Sequence, residues 1–360
     1  MEKINVIGVM SGTSLDGLDM AYCNFWKEYD QWHFELLHTQ EIPYEASWQQ
    51  RLAHVEKQSA LDLAQTDVDL GKWMGEQVHQ FMQQYQLQPH FIASHGHTIF
   101  HQPEKGLTYQ IGSGAHMAAI CNSPVVNDFR TMDVALGGQG APLVPIGDQL
   151  LFPEYNYCLN LGGIANISAK IADQQIAFDI SPCNQVLNTL AEQSGKMYDK
   201  NGELASTGQF VPSLFDELNK LDYYQLPFPK SLGKEWVVAQ VYPLLTQYTQ
   251  LRTVDILCTF CHHIAFQIQQ SIEQMQLNKN IQGQMLVTGG GAFNSFLLQQ
   301  IQEYCKEVKV IVPSQSIIAF KEALIFAFLG VLRWHQAPNC LRSVTGARHN
   351  NCGGAIYWTK

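Results

Sequence analysis

The stretch Ser11-Gly12-Thr13-Ser14-Leu15-Asp16-Gly17-Leu18-Asp19 breaks two apolar runs with small hydroxyls, glycines and carboxylates. Glycine lets backbone come close to a ligand and hydroxyls add donors, so the pattern suits an oxyanion such as phosphate. Gly162-Gly163 and Gly289-Gly290-Gly291 are two further glycine turns, the second lying between an apolar run and a helical pattern. Each can offer backbone N–H groups to a phosphate, and each can equally be a tight turn. GxxxxGK[ST] is absent, and no GxGxxG follows a strand and opens a helix, which removes the P-loop and Rossmann readings.

Three carboxylates compete as general base. Asp179, in Phe178-Asp179-Ile180-Ser181-Pro182-Cys183-Asn184, ends an apolar run ahead of a helical stretch. There it can hold a water or a sugar hydroxyl, or simply cap the helix. Asp16 and Asp128 are the other two. Glu322, in Lys321-Glu322, opens a nearly all-apolar helix and reads either as a first-turn acid favoured by the helix dipole or as a carboxylate facing a cleft. His95, His97 and His101 form an HxHxxxH array open to metal binding, substrate contact or core packing. Cys258-Thr259-Phe260-Cys261-His262 has haem-attachment spacing, but its cysteines fall on the apolar face of a helix, where a thiol behaves as a small hydrophobe.

Alternation predicts strands over 4–10, 18–25 and 32–42, helical spacing a helix over 61–87, and a short apolar run a strand over 91–94. The plan recurs with strands over 157–161, 164–171 and 175–178, a long helix over 254–275, a strand over 284–288 and helical residues over 293–301. Strand, glycine turn, two strands, helices and strand thus occur twice, which predicts a duplicated α/β fold with a cleft between its halves. The glycine-rich stretch 127–145 reads as the crossover between them.

With 360 residues, 46% hydrophobic and 15% charged, the chain is long enough for about two domains. A net charge of -10 and no basic run argue against nucleic acid and favour a small-molecule partner. Nine unevenly spaced cysteines behind an N-terminus without a leader pattern predict a reduced, cytoplasmic protein. The apolar run 323–332 is too short to span a bilayer, so no membrane is expected.

Read in order, GVMSGTSLDGLD, ASHG, DFR with GGQGAPLVP, NLGGIANIS, FD with its P and N, TGGGAFN, KEA and SVTGA resemble the anhydro-N-acetylmuramic acid kinase family along nearly the whole chain. The resemblance implies an α/β fold of actin and hexokinase type, two ribonuclease-H-like domains around a central cleft. It divides the chain into 1–128 plus about 336–360 and 129–335. ATP, Mg²⁺ and a homodimer are implied too, as is phosphorylation of O6 of 1,6-anhydro-N-acetylmuramic acid while water opens the anhydro bridge, giving N-acetylmuramic acid 6-phosphate in peptidoglycan recycling. By motif, Gly12, Thr13, Ser14, Leu15, Asp16, Gly17, Leu18 and Asp19 would hold the ATP phosphates, with Gly162, Gly163, Gly289, Gly290 and Gly291 contributing. Asp179 would be the base for the water attacking C1, Glu322 would orient that water, and Arg130 would bind the sugar together with His95, His97 and Asn184. No residue is assigned as a metal ligand. The chain departs from the family's usual DTGPGN, SHGQT and QIGD at Ile180, Ser181, Cys183, His97 and Ser113. A kinase for another sugar and a non-catalytic ATP-binding regulator are the alternatives.

Overall fold

The computed structural model describes residues 3–12, 14–172, 174–275 and 283–359, so Thr13 lies outside the described residues. The chain forms two compact units, Met1–Phe152 with Phe320–Lys360, and Pro153–Ala319.

The first unit begins with β1 (Ile4–Ser11), β2 (Gly17–Glu28) and β3 (Gln31–Pro43), then α1 (Ala46–His54) and α2 (Ala60–Tyr85). β4 (Phe91–Ser94), β5 (His97–Gln102), β6 (Leu107–Ile111), α3 (Gly114–Cys121), β7 (Val125–Asn127), α4 (Thr131–Ala135) and α5 (Val144–Leu151) follow. The second unit holds β8 (Tyr157–Leu161), β9 (Ile164–Ile171), β10 (Gln174–Pro182), α6 (Asn184–Gln193), α7 (Glu203–Ser206), α8 (Pro212–Asn219), α9 (Lys234–Trp236) and α10 (Tyr242–Leu245). It continues with α11 (Thr253–Met275), β11 (Gly283–Thr288), α12 (Ser295–Tyr304) and β12 (Val308–Ile311). α13 (Gln315–Trp334), α14 (Arg342–Thr345) and β13 (Ala355–Tyr357) close the chain.

The sheet orders are β13-β7-β4-β1-β2-β3 and β10-β9-β8-β11-β12. In each, the first strand pairs antiparallel with the second and the second with the third, while a later strand joins the first in parallel. That repeat is the ribonuclease-H-like plan twice over, with β13 added to the first sheet.

Alternation along β1 explains its two faces. Ile7 and Val9 pack with Leu70, Met74 and Val78 of α2 and with Met117 of α3. Gly8 points the other way, and a Cβ there would strike the carbonyl of Ala323, so α13 lies directly on β1. Ser59 caps α2 by accepting from the Asp62 N–H, and Gln86 ends it in the left-handed region with φ 53°.

Four expectations change. Residues 129–152 and 320–335 sit in the first unit, so the breaks fall after 152 and after 319 instead of at 128 and about 335, and 127–145 is not the crossover. β10 runs on through Pro182, with a register shift between Asp179 and Ser181 that leaves Ile180 unpaired; Asp179 is a strand residue opposite Asn166, beside that bulge, and the cap position of α6 belongs to Cys183. α13 starts at Gln315, which puts Glu322 two turns in, beyond reach of a first-turn dipole effect. Among the described residues α13 is also the one helix long and apolar enough to cross a membrane, at mean hydropathy 1.7, whereas the shorter run 323–332 had excluded that by length. Two thirds of it is buried inside the protein, and Ala323 to Leu332 are core residues.

Candidate active site

In the first unit the β1–β2 turn divides its residues by role. Leu18 is wholly buried in the core, leaving only its backbone for a ligand. Gly17 is glycine because a Cβ would collide with the Ile42 carbonyl of β3. Gly12 has no such reason: a Cβ would meet nothing closer than Ser14 Oγ at 3.4 Å. Its small size is therefore unused by packing and available for close approach of a ligand. Leu15 donates its N–H to the Gly12 carbonyl (3.3 Å) and adopts φ 62°. Asp16 is exposed.

Asp19 lies opposite Glu41 in the β2–β3 register. Burial, then the charges of Glu41, Glu322 and Asp16, push its carboxyl up to about 7. A carboxylate so crowded by its own sign fits a hard divalent cation, which would offset that repulsion. Among the described residues no three His, Cys, Asp or Glu side chains form a ready cage. Mg²⁺ takes one or two carboxylates and completes its shell with phosphate and water.

Arg130 is anchored on two sides. Its Nε and Nη2 donate to His95 Nε2 (both 3.0 Å), and its Nη1 donates to the Gly140 carbonyl (2.6 Å). His95 Nδ1 lies 2.9 Å from the Gly96 carbonyl, so the ring donates there and accepts from Arg130, which assigns the neutral tautomer. Burial and then the Arg130 charge hold His95 well below the ordinary histidine range. His97 Nδ1 meets Ser11 Oγ at 2.9 Å, Ser11 Oγ meets Tyr44 OH at 2.7 Å, and burial lowers His97 to about 4. His101 turns to Thr108 instead. The HxHxxxH array thus does not converge, and His95 and His97, 4% and 3% exposed, act as buried props. Asp128 accepts from the Thr131 N–H and hydroxyl, both at Oδ1, which ties it to the start of α4.

Glu322 is reached by solvent yet crowded by protein. Loss of surrounding water raises its carboxyl despite the opposing pull of Arg130 and Lys321. Lys321 forms a buried ion pair with Asp148 of α5 (2.7 Å), joining α5 to α13.

In the second unit Asn184 ties both glycine turns together. Its N–H donates to the Gly162 carbonyl (3.1 Å), its Nδ2 to the Leu161 carbonyl (2.8 Å), and it borders Gly290 and Gly291. A Cβ at Gly289 or Gly291 would strike Leu161, and Gly289 has φ 81°, so those two are demanded by packing. Gly163 and Gly290 have room for a Cβ, as Gly12 does, whereas at Gly162 one would press on Asn160 Nδ2 at 3.3 Å. Among the predicted substrate residues, Asn184 therefore stands with the glycine turns, holding backbone.

Asp179 Oδ2 accepts from the Leu232 N–H (2.8 Å), its N–H donates to the Lys230 carbonyl (3.0 Å), and its carbonyl accepts from Tyr223 OH (2.6 Å). Oδ1 has no protein partner among the described residues. Burial raises the carboxyl, and the Leu232 bond offsets part of that rise. Beside it Ile180, which stands at the family's Thr, is a core residue, and neither Ser181 nor Cys183, which stand at the family's glycines, adopts a positive φ. In the CxxCH stretch Cys258 and Cys261 are buried and free. His263 is spent on Asn219 (2.7 Å) and Tyr224 (2.8 Å).

Sequence reasoning read Ser11 only as part of a phosphate-suited turn and missed Tyr44, Tyr223, Lys230, Leu232 and Gly140. Ser11 at a strand end beside the glycine turn carried a faint signal; the partners of Asp179 stand 44 and 53 residues away with no motif of their own.

A profile of the family described as Anhydro-N-acetylmuramic acid kinase matches residues 4–359. The anhydro-N-acetylmuramic acid kinase of Pasteurella multocida (strain Pm70) is 34% identical over 368 residues, covering 98% of this chain and 96% of that protein. That of Acinetobacter baylyi is 33% identical, covering 95% and 96%. A solved activator of 2-hydroxyisocaproyl-CoA dehydratase from Clostridium difficile, with bound ADPNP, aligns at TM-score 0.43 and 11% identity over 92% of this chain and 97% of that one, too loosely to add to the strand order.

Two ribonuclease-H-like units, each with glycine turns at its strand ends, make this a carbohydrate kinase of the actin and hexokinase type. The chain belongs to the anhydro-N-acetylmuramic acid kinase family.

Proposed function

We propose that this sugar kinase opens the bridge of 1,6-anhydro-N-acetylmuramic acid and phosphorylates its O6 in one reaction, with Asp179 as the base, yielding N-acetylmuramic acid 6-phosphate and ADP for reuse of cell-wall sugar. The observation that carries the assignment is the fixation of Asp179: Oδ2 is taken by the Leu232 N–H, Oδ1 is left to accept a proton, and burial brings the carboxyl closer to the pH at which a base works best. Asp179 takes a proton from water as the water oxygen bonds to C1. The C1–O6 bond breaks, its electrons pass to O6, and O6 attacks the γ-phosphorus of ATP as the bond to the β-phosphate oxygen breaks.

Glu322 orients the water, and Arg130, steadied by neutral His95, binds sugar oxygens through its remaining N–H groups. Backbone N–H groups at Gly12, Ser14, Gly162, Gly163 and Gly290 cradle ATP. Asp19 and Asp16 would hold Mg²⁺, which when bound offsets charge on the transferring phosphoryl group. We assign the enzyme to the cytoplasm, in keeping with nine cysteines that form no disulfide, eight of them buried.

The test is the reaction in ¹⁸O-water. The label is expected at the anomeric oxygen of freshly formed product and not in the phosphate. Efficient phosphorylation of already opened N-acetylmuramic acid would overturn the coupling and leave an ordinary sugar kinase, and ADP release indifferent to the anhydrosugar would leave a non-transferring ATPase.

A further inference from the structure

Asp133 has no part in the mechanism above, yet its side chain is wholly buried in the first unit. Its two carboxylate oxygens gather three donors from three stretches of chain. Oδ2 accepts from the Gly140 N–H (2.8 Å), and Oδ1 accepts from Thr345 Oγ1 (2.8 Å) and Asn351 Nδ2 (2.7 Å). The loop around it is shaped to fit: a Cβ at Gly138 would run into the carboxylate, and Gly140 adopts φ 66° beside Val134. Gln139 donates its N–H to the Thr345 carbonyl (2.8 Å), which fastens the same loop to the same distant segment.

Gly140 is the residue that matters. Held at its nitrogen by Asp133, it presents its carbonyl oxygen to Arg130 Nη1 at 2.6 Å, while His95 holds the other edge of the guanidinium. An arginine side chain has many rotamers, and a sub-ångström error in a ligand-binding fork costs a large factor in rate. We propose that Asp133 is a positioning residue for the sugar-binding guanidinium of Arg130, acting through Gly140 and set in turn by Thr345 and Asn351. The proposal rests on the reading of Arg130 as a sugar ligand.

Asp133→Asn would leave buried donors unmatched and endanger the fold itself, so Thr345 is the probe. Thr345→Val keeps the shape and removes one of the three donors. It is expected to lower kcat/KM for the anhydrosugar about tenfold, chiefly through KM, since a hydrogen bond to a charged group is worth about that factor. KM for ATP should stay within about twofold, and Thr345→Ser should restore the sugar KM. The deciding arm is the double variant. In an Arg130→Ala background Thr345→Val should change the sugar kcat/KM by less than about twofold, because the group through which it acts is gone. A further tenfold loss there, or no effect of Thr345→Val alone, overturns the role of Asp133 and leaves Arg130 untouched. If Arg130→Ala itself leaves the sugar kcat/KM unchanged, the reading of Arg130 falls and the positioning role falls with it.

Discussion

Asp19 and Asp179 are both lifted above the ordinary carboxylate range, one in each unit, and their surroundings differ. Around Asp19 burial is reinforced by three like charges, Glu41, Glu322 and Asp16. Asp179 has no carboxylate among its perturbers, and a backbone N–H relieves part of the cost of burying it. The first arrangement is a deficit of positive charge, the condition in which a metal ion and a polyphosphate can be held together. The second is a single carboxylate with one oxygen tied down, the condition of a proton acceptor. One strand order thus carries two electrostatic settings, made by which neighbours face the carboxylate.

The largest expected effect separates the two carboxylates. Asp179→Asn should lower kcat for the anhydrosugar about a thousandfold, within the usual span for loss of a general base, and leave nucleotide affinity by calorimetry nearly unchanged. Asp19→Asn should instead raise the Mg²⁺ concentration needed for half-maximal rate. If both variants lose nucleotide affinity equally, the division of labour between them is broken.

Next in size is a contrast in how polar groups are buried. The first unit buries the Lys321–Asp148 ion pair beside Glu322, whereas α11 of the second buries neutral His263 between Asn219 and Tyr224. Lys321→Met should destabilise the protein by about 3 kcal/mol in urea unfolding, because it strands a buried carboxylate. Replacing both partners, Asp148→Leu with Lys321→Met, should recover most of that loss.

The glycines sharpen the comparison further. Gly17→Ala should cost about 1–3 kcal/mol of stability through its clash with Ile42, with Gly12→Ala staying within about 0.5 kcal/mol. Gly12→Ala should nevertheless weaken ATP binding. An unchanged nucleotide affinity would reduce the β1–β2 turn to a connection.

The last contrast is a slope in pH. Below 3.8 Asp19 is protonated both folded and unfolded, and it makes no difference to stability. Between 3.8 and about 7 the unfolded chain gives up that proton and the fold keeps it, so stability falls as pH rises across this window and the loss is complete above about 7. Asp19→Asn should remove that slope from a thermal-melting series, leaving the acid limb that buried His97 and His263 impose as pH drops below 6.5. An identical slope in wild type and variant would mean that Asp19 is not crowded as described.

What the sequence determined by itself is local in origin. β8 and β9 stand at the predicted residues, and α2 and α11 within a residue or two, because side-chain period and turn chemistry are written in neighbouring positions. Glycine and hydroxyl at strand ends likewise marked the turns, and the motifs marked the family. Tertiary structure alone decided the rest. β10 carries Asp179 past its expected end because a bulge breaks the alternation on which the expectation relied. The first unit includes 129–152 because Asp133 is satisfied by Thr345 and Asn351, 212 and 218 residues away, and no periodicity records a contact at that range. Whether a glycine serves packing or a ligand was equally invisible along the chain, since Gly12 and Gly17 differ only in what stands across from them: open space beside one, the Ile42 carbonyl against the other.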